Sequence, residues 1–385
     1  MPKGVEKMKK QLCIIIALAL FYSSASAMPQ MGEINAKSAA LYDSNGQMLY
    51  EMNGEAAYQP ASVTKIMTML LAMEALDRGE VSLDTMITGS AHAESMGGTQ
   101  IWLKQGEQLT LDEMLKAIAI GSANDCAVAV AEHLAGTEQA FVEKMNERAK
   151  ELGCKSTTFV NANGLDAGTD KTLTSARDLA IISAELLKHP KIINYTSTWM
   201  DTVRNGQFSL ANTNKMLKTY NGMIGLKTGY ISEAGYCISA AATRDNMTFI
   251  ATVMGAKTKD DRTNAVKTLL DYGFANYTAY TPDLTEATKP ILVELGKKQN
   301  VSIEAKQTEP VIIPKESEGN ITLEIERLES LTAPIKKGQS VGTATVRDGT
   351  RTIMQIELVT SEDIEKLGFS DIYREFMKFA LMKKN

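Results

Sequence analysis

A chain of 385 residues, 44% hydrophobic and 23% charged, can fill a sizeable core and has room for two domains. Its net charge of −5 argues against a nucleic-acid surface, because no basic excess is built up to meet phosphates. An extracellular enzyme and an envelope binding or structural protein both remain open.

The first residues speak for export. Lys7, Lys9 and Lys10 precede an apolar run, Leu12 to Phe21, and Ala25-Ser26-Ala27 supplies the small residues of a cleavage site. The run is shorter than the roughly 20 apolar residues of a membrane span. Residues 1–27 are therefore read as a secretory signal, with Met28 starting the mature chain. Their removal takes away four lysines and one glutamate and moves the net charge from −5 to −8. Cys126, Cys154 and Cys237 remain, an odd number that allows one disulfide at most. Neither their spacing nor that of His92, His133 and His189 suggests a metal site, and no cofactor is expected.

Residues 34–58 predict a hairpin around the turn Ser44-Asn45-Gly46. From Ser62 the pattern becomes helical, with Ile66, Met69, Leu70, Met73 and Leu76 in register. A second helix is expected from Leu111, interrupted by Gly121 to Asp125, and a third through Val128, Val130 and Leu134. Trp102, on the approach to the second helix, is read as a core residue in preference to a loop residue near the cleft. A further helix ends at Pro190. Three strand-like runs follow, from Met223, Tyr236 and Met247, and a helix over 260–277 closes this part. Helices inserted between a hairpin and later antiparallel strands make an α+β domain, placed at 28–280.

Residues 281–360 read as a small all-β domain with a hairpin across Asp348-Gly349. In the tail, 361–385, Ile372, Phe376 and Phe379 share one helical face and Arg374, Lys378, Lys383 and Lys384 line the others. Such a helix either lies in a membrane surface or docks on its own β-domain.

Three short motifs each occur once: Ser62-Val63-Thr64-Lys65, Ser122-Ala123-Asn124 and Lys227-Thr228-Gly229. A serine hydroxyl needs an adjacent base to act as a nucleophile. Residues i and i+3 share a helix face, so Lys65 can reach Ser62. Lysine serves as a base only when desolvation or a neighbouring cation destabilises its ammonium, and Lys227 could be that cation. Ser122 could relay a proton to a leaving group, and Asn124 could orient both lysine and substrate. Thr228 adds a donor, Gly229 lets a substrate backbone lie close, and the N–H groups of Ser62 and Tyr230 could form an oxyanion hole.

These motifs resemble the penicillin-recognising serine peptidases. The stretches "PASVTKIMT", "GSANDCAVAVAEHLAG", "FVNANGL", "SARDLA", "GLKTGYISEAGYC" and "LLDYGF" resemble one branch, the low-molecular-mass penicillin-binding proteins that are D-alanyl-D-alanine carboxypeptidases. The resemblance implies a β-lactamase/DD-peptidase-like catalytic domain, an antiparallel sheet flanked by helices, before the small all-β domain and terminal helix. It implies removal of the terminal D-alanine from peptidoglycan stem peptides through an acyl-enzyme on Ser62. β-Lactams would be covalent inhibitors, and the enzyme would work in the cell envelope. Arg262 stands where the family binds the terminal carboxylate; without the family it reads as a solvated charge near a helix start.

Two departures touch substrate detail. Tyr230 stands where relatives often carry histidine, and Leu173 lies near a position where a histidine is common. A β-lactamase of the kind that deacylates with an E-x-x-L-N glutamate is disfavoured, because no such sequence lies between Asn124 and Lys227. A catalytically silent penicillin sensor would be favoured by loss of a motif residue, and none is lost. No G-x-S-x-G elbow surrounds Ser62. Cys126, Cys154 and Cys237 are assigned to packing, and Asp125 to a cap or buried polar contact.

Overall fold

The computed structural model describes residues 31–165, 168–306 and 310–382. The expected signal segment lies outside the described residues, as do Lys383, Lys384 and the side chains of Lys378 and Phe379. The chain divides into two compact units, Pro29–Ala275 and a second that starts at Asn276. This division falls ahead of Tyr280, because Tyr277–Tyr280 pairs with Val311–Pro314 and so goes with the second unit.

In the first unit the expected hairpin forms from β1 (Ser38–Asp43) and β2 (Met48–Met52). Two small hairpins follow, β3 (Met86–Thr88) with β4 (Gln108–Thr110) and β5 (Met200–Val203) with β6 (Phe208–Ala211). The long strands are β7 (Met223–Ile231), β8 (Gly235–Arg244) and β9 (Met247–Ala256). One antiparallel sheet results, in the order β2-β1-β9-β8-β7. β1, β8 and β9 are buried over most of their length, which explains why β8 and β9 read as continuous apolar runs rather than alternating ones. β7 is an edge strand, and that edge carries the Lys227-Thr228-Gly229 motif.

Helix α1 (Lys65–Asp77) is buried on almost every side, as expected for a helix without a polar face. Ser62 does not cap it. It lies in a 3-10 turn, Ala61–Thr64, that leads into the helix. α2 (Leu111–Lys116) opens on a Thr110–Glu113 capping box and widens into a π turn, Ala117–Gly121. Ser122 stops this turn in the left-handed conformation, φ 65°. α3 (Asn124–Ala135) resumes beyond it. α4 (Glu138–Glu151) was not anticipated, although Phe141, Met145 and Ala149 bury one stripe at helical spacing. Two further long helices are α5 (Ala176–Leu187) and α6 (Lys259–Asn276).

Trp102 is not a core residue; it is 60% exposed. The Asp125 carboxylate accepts the N–H groups of Ile101 and Leu103, at 3.1 and 2.9 Å, and both flanking side chains are buried. Trp102 between them takes a left-handed turn, φ 59°, and rests edge-on against Phe208 with centroids 5.9 Å apart.

The second unit is rich in strands, among them a four-stranded antiparallel sheet of Ile303–Ala305, Arg351–Thr360, Ser340–Asp348 and Ile321–Arg327. Its core includes Ile291, Val301, Val341, Val346, Ile356 and Leu358. The final helix, α7 (Phe369–Met382), leaves Phe369, Ile372 and Phe376 exposed. Among the described residues no helix is long and apolar enough to cross a membrane.

Candidate active site

Ser62 is held on a turn that is clamped from two sides. Thr64 Oγ1 donates to Ala61 O at 2.8 Å within the turn. On one flank runs β7, so close that a Cβ on Gly229 would sit 2.5 Å from Pro60 O and 3.1 Å from Ser62 N. On the other lies the loop containing Gly164, where φ is +80° and a Cβ would meet Ala61 O at 1.9 Å. Only glycine fits at these two contacts, and together they fix the position of the Ser62 turn.

Lys65 follows at the first position of α1 and is wholly buried. Its Nζ lies 3.1 Å from Ser62 Oγ, 2.6 Å from Asn124 Oδ1 and 2.7 Å from the Asn163 carbonyl oxygen. Burial, reinforced by the nearby Lys227 charge, holds its pKa well below the usual lysine value, with Asp125 opposing. A lysine whose charged form is disfavoured, within hydrogen-bond distance of a serine hydroxyl, has what a general base needs.

Asn124 is the hinge of the second motif. Its Nδ2 donates to Gly97 O at 2.7 Å, which orients its oxygen toward Lys65. Ser122, 5% exposed and in the left-handed conformation that ends the π segment, lines the same cleft as Ser62. Asp125 turns away into backbone contacts and has the structural place expected for it.

Lys227 is 1% exposed, and burial together with the Arg262 charge pushes its pKa down to about 7. Its Nζ donates to Thr228 O at 3.0 Å. Thr228 Oγ1 donates to Thr213 Oγ1 at 2.7 Å. Ser62, Thr99, Ser122, Thr213, Thr228, Gly229, Tyr230, Tyr236, Lys259 and Arg262 surround one cleft of about 310 Å³. Arg262 is 6% exposed and its Nε has no hydrogen-bond partner, so it is not the solvated charge that its sequence context alone suggests. Tyr230, by contrast, is exposed.

All nine predicted site residues therefore meet around one cleft or directly behind it. Sequence reasoning missed Asn163, whose carbonyl holds Lys65, and Gly164, Thr213, Thr99, Tyr236 and Lys259. The asparagine and glycine were visible within "FVNANGL", but only the folded chain shows what they touch. Among the described residues Cys126, Cys154 and Cys237 are free thiols. Burial raises the Cys126 thiol far above its usual pKa and pushes Cys237 up to about 11 and Cys154 to about 12, which leaves all three as protonated packing groups.

Comparison with known proteins gives the family. Residues 23–258 match the family described as D-alanyl-D-alanine carboxypeptidase, and residues 284–366 match the one described as penicillin-binding protein 5, C-terminal domain. D-alanyl-D-alanine carboxypeptidase DacF of Bacillus subtilis (strain 168) is 40% identical over 391 residues, covering 97% of this chain and 98% of the relative. Among solved structures, penicillin-binding protein 5 from Haemophilus influenzae superposes with a TM-score of 0.73 at 31% identity, over 88% of this chain and all of that one. Penicillin-binding protein D2 from Listeria monocytogenes, in its ampicillin-bound form, gives 0.59 at 32% identity over 64% of this chain and all of that one.

Proposed function

The chain belongs to the D-alanyl-D-alanine carboxypeptidase family, a family of serine-type hydrolases that act in the cell envelope, and we propose that Ser62 is the residue through which its reaction passes. The observation that carries this reading is the environment of Lys65, a buried amine 3.1 Å from the Ser62 hydroxyl with its pKa held down.

The substrate is a peptidoglycan stem peptide ending in D-Ala-D-Ala. Arg262 and Thr228 receive its terminal carboxylate, which supplies the anion that the buried guanidinium lacks among the described residues. Ser62 Oγ attacks the carbonyl carbon of the penultimate residue while its proton passes to Lys65 Nζ. The N–H groups of Ser62 and Tyr230 stabilise the oxyanion. Lys65 then returns the proton, through Ser122, to the departing nitrogen, the C–N bond breaks and D-alanine leaves. Water hydrolyses the ester with Lys65 again as base.

A β-lactam enters the same path, but its leaving nitrogen stays tethered after the ring opens and blocks the approach of water. No carboxylate side chain is among the residues lining the cleft, so the described site offers no acidic base for rapid penicilloyl hydrolysis. Release of D-alanine from diacetyl-L-Lys-D-Ala-D-Ala tests the reading. The wild-type chain releases it, Ser62→Ala and Lys65→Ala lower kcat/KM at least about a thousandfold, and retained activity in Ser62→Ala overturns the assignment.

For the tail, the reading is a helix lying in the outer surface of the cytoplasmic membrane. Phe369, Ile372 and Phe376 are exposed, which supports insertion of an apolar face over docking on the β-domain. Export by the segment 1–27 accompanies it. Truncation after Leu367 abolishes co-sedimentation with anionic vesicles if the helix is the anchor, and Met28 is the N-terminus of the exported protein.

A further inference from the structure

Arg262 poses a problem of placement. It is buried, it forms no ion pair among the described residues, and its Nε makes no hydrogen bond. A long cationic side chain without a partner ordinarily wanders among rotamers, which would blur any site for a carboxylate. An acidic partner would hold it but would also neutralise it and occupy the place of the incoming anion.

The neighbour that it does have is an aromatic ring. The guanidinium carbon lies 5.8 Å from the Tyr236 ring centroid, and Tyr236 is itself packed against Tyr230, centroids 4.4 Å apart and tilted by 33°. All three residues line the cleft. Tyr230 and Tyr236 face each other across the β7–β8 ladder, so the backbone register holds the pair together. A ring face attracts a cation through its quadrupole and leaves the net charge intact.

We propose that Tyr236 is a positioning residue. Its ring, propped by Tyr230, holds the Arg262 guanidinium in line with the cleft and keeps its full charge available to the substrate's terminal carboxylate. The proposal rests on the carboxylate-binding role of Arg262 given above and adds the device that aims it. Tyr230 then serves the carboxylate pocket by fixing the ring of Tyr236.

The test uses the full mature chain with Tyr236→Phe, Tyr236→Leu, Tyr230→Ala and Arg262→Gln. Two substrates are compared, diacetyl-L-Lys-D-Ala-D-Ala and the same peptide with its terminal carboxylate amidated. Tyr236→Phe keeps the ring and stays within about twofold of wild type. Tyr236→Leu raises KM for the free-carboxylate peptide about tenfold, with kcat nearly constant and the amidated peptide little affected. Tyr230→Ala, at an exposed position, gives a smaller rise of the same selectivity and decides the matter if Tyr236→Leu does not fold. Equal losses on both substrates, or equal losses in Tyr236→Phe and Tyr236→Leu, overturn the proposal. If Arg262→Gln leaves the selectivity for the free carboxylate unchanged, it is the role of Arg262 that fails. If Arg262→Gln abolishes that selectivity and neither tyrosine variant alters it, only the positioning role fails.

Discussion

Asn124 and Lys65 are joined by the shortest of the lysine's contacts, 2.6 Å from Nζ to Oδ1, and the opposite end of the same amide is tied to Gly97 O at 2.7 Å. The second motif thus acts directly on the first: it fixes where the Lys65 side chain points and presents it with a neutral acceptor. A Cβ on Gly98 would meet Asn124 Nδ2 at 2.9 Å, so the neighbouring turn also keeps this amide in place.

Replacing that acceptor by a charged one reverses the electrostatics. Asn124→Asp places a carboxylate on the ammonium, favours the protonated form and raises the Lys65 pKa. Penicillin acylation at neutral pH falls about a hundredfold or more, and the acid limb of its pH profile moves upward. Asn124→Ala loses rate without that upward displacement. Stopped-flow acylation across pH separates the two, and an unshifted limb in Asn124→Asp would contradict the assignment of Lys65 as base.

Burial of the Lys227 charge costs stability. Between about pH 7, its folded pKa, and its ordinary value near 10.5, the unfolded chain holds a proton that the folded chain has released. Unfolding takes up that proton, so stability rises with pH through this window. Lys227→Met removes this rise and stabilises the protein at pH 7 by on the order of 1–4 kcal/mol, while penicillin acylation is lost. Denaturant unfolding at pH 7 and pH 10 measures both effects; a destabilised Lys227→Met at pH 7 would refute the account of its burial.

Gly164→Ala strikes the Ser62 turn from behind. The added methyl would need the space of Ala61 O, on a residue already at φ +80°. The turn carrying Ser62 must shift, with a stability loss of about 2 kcal/mol or more and a fall in acylation of at least a hundredfold. Activity per folded molecule, from titration of the folded fraction, checks it. A variant as active and stable as wild type would show that the clamp is not tight.

The thiols are predicted to be bystanders. Cys126 is fully buried and its pKa is raised by desolvation and by the adjacent Asp125. Ellman's reagent should leave Cys126 and Cys237 unmodified in the native protein over a time in which the unfolded chain reacts with all three mature thiols, and Cys126→Ala should keep acylation within a few-fold. Rapid native labelling of Cys126 would contradict this.

How much of the site was legible follows from the range of each interaction. Ser62 and Lys65 lie one helical turn apart, so their meeting could be read from spacing alone, and β7 announced itself as a run with its own motif. The 3-10 turn could not be read, because it is shaped by β7 and the Gly164 loop, 167 and 102 residues downstream of Ser62. Trp102 was misread because its hydrophobicity pointed inward, whereas the Asp125 carboxylate, 23 positions on, turns its two neighbours inward instead. Asn163 contributes a carbonyl rather than a side chain, and a backbone acceptor leaves no trace in residue type. The strain at Ser122 was likewise invisible, since serine is not a residue that signals a left-handed turn.

The central claim is that Ser62 is the nucleophile and that the other reactive groups serve it. Its most direct measurement is the site of covalent labelling: incubate the mature protein with fluorescent penicillin, digest it, and locate the adduct by mass spectrometry. The prediction is one label per molecule, on Ser62, formed at least about a hundredfold more slowly in Lys65→Ala. Label on Ser122 or Cys126, or labelling that persists in Ser62→Ala, would contradict it.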